Sequence, residues 1–160
     1  VRRGRYQNLP ADSLIAMDEL LFIETIRVED GTFVRPELHL QRMRQTVREA
    51  YGVASGFDLA DGSIPLQHRK GTVKCRIVYG RSLSEISFAP YVPREIRSLR
   101  LVAADDELDY HLKYADRSAL ARLLQRRDDC DEILIVRDGA ITDTSYMAVK
   151  RPQPIPLLKT

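Results

Sequence analysis

The stretch Leu20-Leu21-Phe22-Ile23-Glu24-Thr25-Ile26-Arg27-Val28 is rich in β-forming residues, and Asp30-Gly31 follows it as a tight turn before Thr32-Phe33-Val34. Residues 18–35 therefore read as a β-hairpin. At Pro36 the pattern changes period. A proline is well placed in the first turn of a helix, where its missing N–H costs little. Leu40, Met43, Val47 and Tyr51 then recur at spacings of three and four, which makes one apolar stripe, and Gly52 is a suitable stop.

Residues 57–69 read as a loop with a short helical turn. Residues 72–79 alternate polar and apolar side chains, as a half-buried strand does, and pair with a second strand at 83–89 after Gly80. Pro90 and Pro93 bracket Tyr91-Val92 and interrupt both helix and ladder, so the chain divides there into 1–93 and 94–160. A strand at 98–103 opens the second part. A helix running to Gln125 follows, with Asp116 as its N-cap and Ala119, Leu120, Leu123 and Leu124 as apolar positions. Residues 128–132 are an acidic loop. Ile133-Leu134-Ile135-Val136 and Ala140-Ile141-Thr142 then flank Arg137-Asp138-Gly139, a second hairpin signature. No internal repeat interrupts this order. The expected class is α+β, with a mostly antiparallel first half and an incomplete second half.

A hydrophobic fraction of 44% suffices for a packed core, and 30% charged residues indicate a soluble chain. The net charge of +2 is spread through interleaved acids and bases, so neither a nucleic-acid stripe nor a charged tail is expected. Cys75 and Cys130 stand far apart and in no metal-ligand or redox spacing. Cys75 reads as a small buried hydrophobe. With no signal peptide, membrane-spanning run or disulfide framework, the cytoplasm is the expected compartment, and no membrane partner is expected.

The candidate chemistry centres on Lys113, between the strand at 98–103 and the following helix. Leu112 and two tyrosines are close by, and no carboxylate is nearer in sequence than Asp116. An amine is nucleophilic only while part of it is neutral, so such a lysine needs surroundings that disfavour its charge. Taken alone, it reads as a packed stem with a solvated ammonium. Two further residues have bland local readings: Glu24 on the wet face of its strand, and Arg42 as a solvated helix residue.

Four ordered pieces give these residues a common meaning: Phe22-Ile23-Glu24-Thr25-Ile26-Arg27 before an Asp-Gly turn; His39-Leu40-Gln41-Arg42-Met43; Leu112-Lys113-Tyr114-Ala115-Asp116-Arg117; and Asp131-Glu132-Ile133-Leu134 with Ile141-Thr142-Asp143-Thr144-Ser145. In them the chain resembles the class IV aminotransferase family, the fold-type IV pyridoxal-phosphate enzymes. That group includes branched-chain and D-amino-acid aminotransferases and aminodeoxychorismate lyase. The resemblance implies an α+β two-domain enzyme whose N-terminal α/β sandwich spans 1–93. Its pseudo-barrel domain begins at 94–160 and is incomplete in this chain. It implies pyridoxal 5'-phosphate as cofactor and no metal. Lys113 matches the lysine that binds the cofactor covalently and shuttles the substrate's α-proton. Arg42 matches the arginine that holds its phosphate, and Asp143 the acid facing its pyridine nitrogen. Glu24 matches a position near the cofactor. A homodimer acting on a small amino-acid-like substrate is implied as well.

The chain departs from the pattern in places. Asp143 stands where the family usually has Glu, one methylene longer. No Asn follows it in Thr144-Ser145-Tyr146-Met147-Ala148, and the run 150–156 is short. A deletion or missing internal residues would account for both. The chain opens on Val1 and ends at Thr160, just short of the family's second phosphate loop, so the natural protein is expected to extend further. Arg117, four residues after Lys113, resembles a pattern of some aminodeoxychorismate lyases, although Asp116 stands where that pattern has Asn. This favours 4-amino-4-deoxychorismate lyase, which releases pyruvate and 4-aminobenzoate for folate synthesis. The alternatives are an amino-acid transaminase using a 2-oxo acid, or a degenerate relative that binds no cofactor.

Overall fold

A computed structural model describes residues 20–105, 108–109 and 111–146, and the backbone of 148–154. The start of the expected hairpin before Leu20 and the apolar segment after Pro154 lie outside the described residues.

Strand β1 (Phe22–Glu29) and the two-residue β2 (Thr32–Phe33) flank the Asp30-Gly31 turn, where both residues have positive φ, 44° and 81°. Asp tolerates that region and Gly enters it freely, so the turn twists with its strands. Helix α1 (Pro36–Tyr51) carries Pro36 in its first turn, buries Leu40, Met43 and Val47, and ends on Gly52 at φ 68°. Strands β3 (Thr72–Tyr79) and β4 (Leu83–Pro90) complete an antiparallel sheet of order β2-β1-β3-β4. The loop before β3 contains two short 3-10 turns, Asp61–Ser63 and Leu66–His68.

One face of this sheet packs on α1. Phe22, Ile26 and Val28 of β1 and Val73, Cys75, Ile77 and Tyr79 of β3 are buried with Met43 and Val47 of the helix. Burying a side chain of this size contributes about 1.5–3 kcal/mol, so this layer accounts for much of the stability of the first half. Phe22 is central to it, with the Tyr79 and Tyr114 rings 5.8 and 5.4 Å away.

Strand β5 (Leu99–Ala103), helix α2 (Ser118–Gln125), and strands β6 (Glu132–Arg137), β7 (Ala140–Thr144) and β8 (Ala148–Pro154) make the second layer. The sheet order is β5-β6-β7-β8. The β5–β6 pair is parallel, with α2 in the crossover, and the other pairs are antiparallel. Val102, Ile133 and Ile135 pack with Leu120 and Leu123 of α2. The second hairpin turn, Asp138-Gly139, again has positive φ at both residues, 51° and 73°.

Two expectations change. The residue flanking α2 at its start is Arg117, not Asp116, yet the Asp116 carboxylate still accepts the Ser118 amide at 2.8 Å. It therefore satisfies an orphan helix donor from one residue further out. Glu132 does not belong to the acidic loop. It opens β6 and is fully buried, because the strand begins one residue before the apolar run. Among the described residues no helix is long and apolar enough to cross a membrane, and no group of three or more His, Cys, Asp or Glu is arranged to hold a metal ion.

Candidate active site

The segment carrying Lys113 leaves the second layer and lies along β1. Its carbonyl accepts the Ile23 amide at 2.8 Å, the Ala115 amide donates to the Leu21 carbonyl at 2.7 Å, and Tyr114 bridges to Phe22. This backbone ladder brings the amine to the inner face of β1, over a cleft of about 200 Å³ lined by Glu24, Arg42, Thr46, Tyr79, His111 and Lys113, among others.

Glu24 is at the floor of the cleft and is wholly removed from solvent. The expectation of a wet face is therefore corrected, and strand parity gives the reason. Side chains alternate, so the inward set Phe22, Ile26 and Val28 takes Glu24 with it. A buried carboxylate persists only when paired and hydrogen-bonded. Arg42 Nε donates to Glu24 Oε2 at 2.8 Å, and Arg42 Nη2 donates to Oε1. His39 Nδ1 stands 3.2 Å and Lys113 Nζ 3.7 Å from Oε1. Burial pushes the Glu24 carboxyl up, but the hydrogen bonds from His39 and Arg42 and the charges of Lys113 and Arg42 outweigh it and hold the group down at about 2. The same pairing raises the Arg42 guanidinium, and burial raises the Tyr79 phenol.

Arg42 is thus no ordinary solvated helix residue. About half of its side chain is exposed, and Glu24 takes one edge of its planar fork. Lys113 is 40% exposed and stands beside an anion that its neighbours in sequence do not supply. Sequence distance concealed this, because Glu24 arrives from another strand.

Asp143 does not line this cleft. It is half-buried on β7, where burial raises its carboxyl while the charges of Arg117 and Lys113 draw it down. It is therefore close enough to Lys113 to feel its charge. At the mouth of the cleft His111 joins two elements: its Nδ1 is 2.8 Å from Asp109 Oδ1 and its Nε2 is 3.0 Å from Glu49 Oε1 on α1. Tyr114 OH donates to Asp109 Oδ2 at 3.3 Å. Sequence reasoning gave His111 and Glu49 no role. They are 62 positions apart, and only the fold shows them as neighbours.

The donor set fits pyridoxal phosphate. The cleft offers a primary amine, and among the described residues nothing bonds Nη1 of the Arg42 fork. That leaves two N–H groups for an anion.

No protein-family model matches the chain. An uncharacterized protein of Haemophilus influenzae is 35% identical over 127 residues, which span 76% of this chain and 66% of that protein. The crystal structure of a "putative 4-amino-4-deoxychorismate lyase" from Haemophilus somnus 129pt is 31% identical with a TM-score of 0.67, covering 81% of this chain and 69% of that one. A "hypothetical aminotransferase" from Mycobacterium tuberculosis, in a form with alpha-ketoglutarate and PMP bound, shares the fold at 21% identity and a TM-score of 0.63, covering 90% of this chain and 62% of that one. The chain thus spans about two thirds of the length of these relatives. With the ordered motifs, the fold and these likenesses together, the chain belongs to the class IV aminotransferase family, the fold-type IV pyridoxal-phosphate enzymes.

Proposed function

We propose that the protein is a pyridoxal 5'-phosphate-dependent enzyme acting on a small amino-acid-like substrate, and that its reaction is that of 4-amino-4-deoxychorismate lyase. The observation that carries the reading is the meeting of Lys113, Arg42 and Glu24 in one cleft, with Asp143 within reach of the Lys113 charge.

When bound, pyridoxal phosphate supplies a protonated ring that accepts the electron pair left by removal of the substrate's α-proton. The chain's own residues divide the remaining work. Lys113 Nζ would hold the cofactor and, as the free amine, would take a proton from the substrate and deliver it to the departing product. Arg42 holds the phosphate, its position on α1 fixed by the pairing with Glu24. Asp143 holds the proton on the pyridine nitrogen.

The lyase preference draws on Arg117 and on the 31% identical structure bearing that name. Arg117 Nη2 donates to the Ser145 carbonyl at 2.8 Å, so in this chain the arginine also supports the turn after Asp143. Transamination with a 2-oxo acid is the second reading, favoured by the aminotransferase names among the structural neighbours. A homodimer is part of the proposal, supported by the family resemblance.

Incubation of the full-length protein with pyridoxal phosphate and aminodeoxychorismate is expected to release pyruvate without any keto acid. Glutamate formation from amino acids plus 2-oxoglutarate would instead establish the transaminase. A protein that gains no absorbance band from the cofactor, and none that Lys113→Ala removes, would overturn both.

A further inference from the structure

Glu132 is, with Glu24, one of two fully buried carboxylates among the described residues, and it belongs to the other layer. Its Oε2 accepts the Ser145 hydroxyl at 2.8 Å, and its Oε1 accepts the amides of Ile133 at 2.9 Å and of Ser145 at 3.4 Å. Arg94 Nη1 stands 3.7 Å from Oε2. The same turn is held from other sides. Arg117 donates to the Ser145 carbonyl at 2.8 Å, and the Arg94 guanidinium lies 5.2 Å from the Tyr146 ring centre. The amide, hydroxyl and carbonyl of Ser145 are therefore all engaged by residues distant in sequence, two positions after Asp143.

Desolvating a carboxylate is costly, and a packed apolar side chain at the start of β6 would fill the same space more cheaply. What a carboxylate adds is direction: it grips one hydroxyl and two amides at defined angles. The shortness of Asp143 gives that direction a purpose. An aspartate has one rotatable bond fewer than a glutamate, so it cannot re-aim its carboxylate when the backbone moves. Any looseness of the β7 end passes directly to its oxygens.

We propose that Glu132 and Ser145 form a clamp that positions Asp143, with Glu132 as a positioning residue acting through the Ser145 turn. This rests on the reading of Asp143 as the acid that meets the cofactor ring.

The test compares wild type, Ser145→Ala, Glu132→Gln, Asp143→Glu and the double variant Ser145→Ala/Asp143→Glu. Each is melted without cofactor, then reconstituted with pyridoxal phosphate and titrated with pH by absorbance of the bound chromophore. Ser145→Ala and Glu132→Gln are expected to fold, to melt a few degrees below wild type because a buried hydrogen bond is lost, and to change the chromophore's proton affinity by about threefold or more. In the Asp143→Glu background, Ser145→Ala is expected to change it by less than half as much on the logarithmic scale, because the longer arm tolerates the looser turn. Equal changes in both backgrounds, or no change in a Ser145→Ala protein that is folded at the temperature of the titration, would overturn the clamp. Should Glu132→Gln not fold, the Ser145→Ala pair decides alone. If wild type acquires no chromophore, the reading of the site fails. The clamp is then judged by ¹³C titration of the Asp143 carboxyl in cofactor-free protein: Ser145→Ala is expected to move it, and an unmoved titration overturns the clamp.

Discussion

The carbonyl of Lys113 accepts the amide hydrogen of Ile23 at 2.8 Å, so the lysine's backbone is fixed to the strand next to Glu24 while its side chain stays available. The main chain of this residue is engaged in the fold, and its side chain lines the cleft. The two can be separated by mutation.

Lys113→Ala is therefore expected to keep the Ile23 hydrogen bond and to change stability by about 1 kcal/mol or less, since the lost ion pair is partly exposed. Borohydride reduction after incubation with pyridoxal phosphate should leave a mass adduct on the Lys113 peptide of wild type. In the variant that adduct should be absent. A melting temperature many degrees lower would show that the side chain, not only the carbonyl, supports the fold.

Glu24 makes stability depend on acid. Its carboxyl is held at about 2 in the fold against 4.5 as its ordinary value. A group with a depressed native pKa contributes stability that is complete above the unfolded value and is lost as pH falls through the native one. The contribution is on the order of 3 kcal/mol at neutral pH. Urea midpoints of wild type and Glu24→Gln should differ most above about pH 4.5 and converge towards pH 2. A difference independent of pH would mean that the charge is not what the site uses.

His111 should titrate above its ordinary value of 6.5, because Asp109, and after it Glu49, stabilise the imidazolium. Here the sign is reversed. The tie between α1 and the Lys113 segment is complete below the unfolded value and weakens as pH rises through the raised native one. NMR titration of the imidazole should show this, and Asp109→Asn should bring the midpoint back down. A midpoint unchanged by Asp109→Asn would remove Asp109 as the cause.

The two cysteines should react unequally. Cys75 is fully buried, and burial pushes its thiol up to about 11, whereas Cys130 is only partly buried. The thiolate is the nucleophile, so iodoacetamide at mildly alkaline pH should modify Cys130 in the native protein and Cys75 only after denaturation. Peptide mass mapping would report the order, and native labelling of Cys75 would contradict the packing described for β3.

Elements fixed by local chemistry were legible in the chain itself. Asp30-Gly31 and Asp138-Gly139 demanded hairpins because few other pairs adopt positive φ at both positions. Pro36, the stripe Leu40, Met43, Val47 and the stop at Gly52 together defined α1. Lys113, Arg42, Asp143 and Glu24 were picked out by the order of their motifs. What the linear chain could not supply was which charges meet. Glu24 looked solvent-facing until β1 was placed under α1, and strand parity then turned it towards Arg42. Glu132 looked like one more acid of a loop until β6 began there, and only the β6–β7 register set it against Ser145. Local sequence determines turns and periods because those follow from the sterics of neighbouring residues. The partners of a buried charge come from distant strands, so tertiary packing alone decides them.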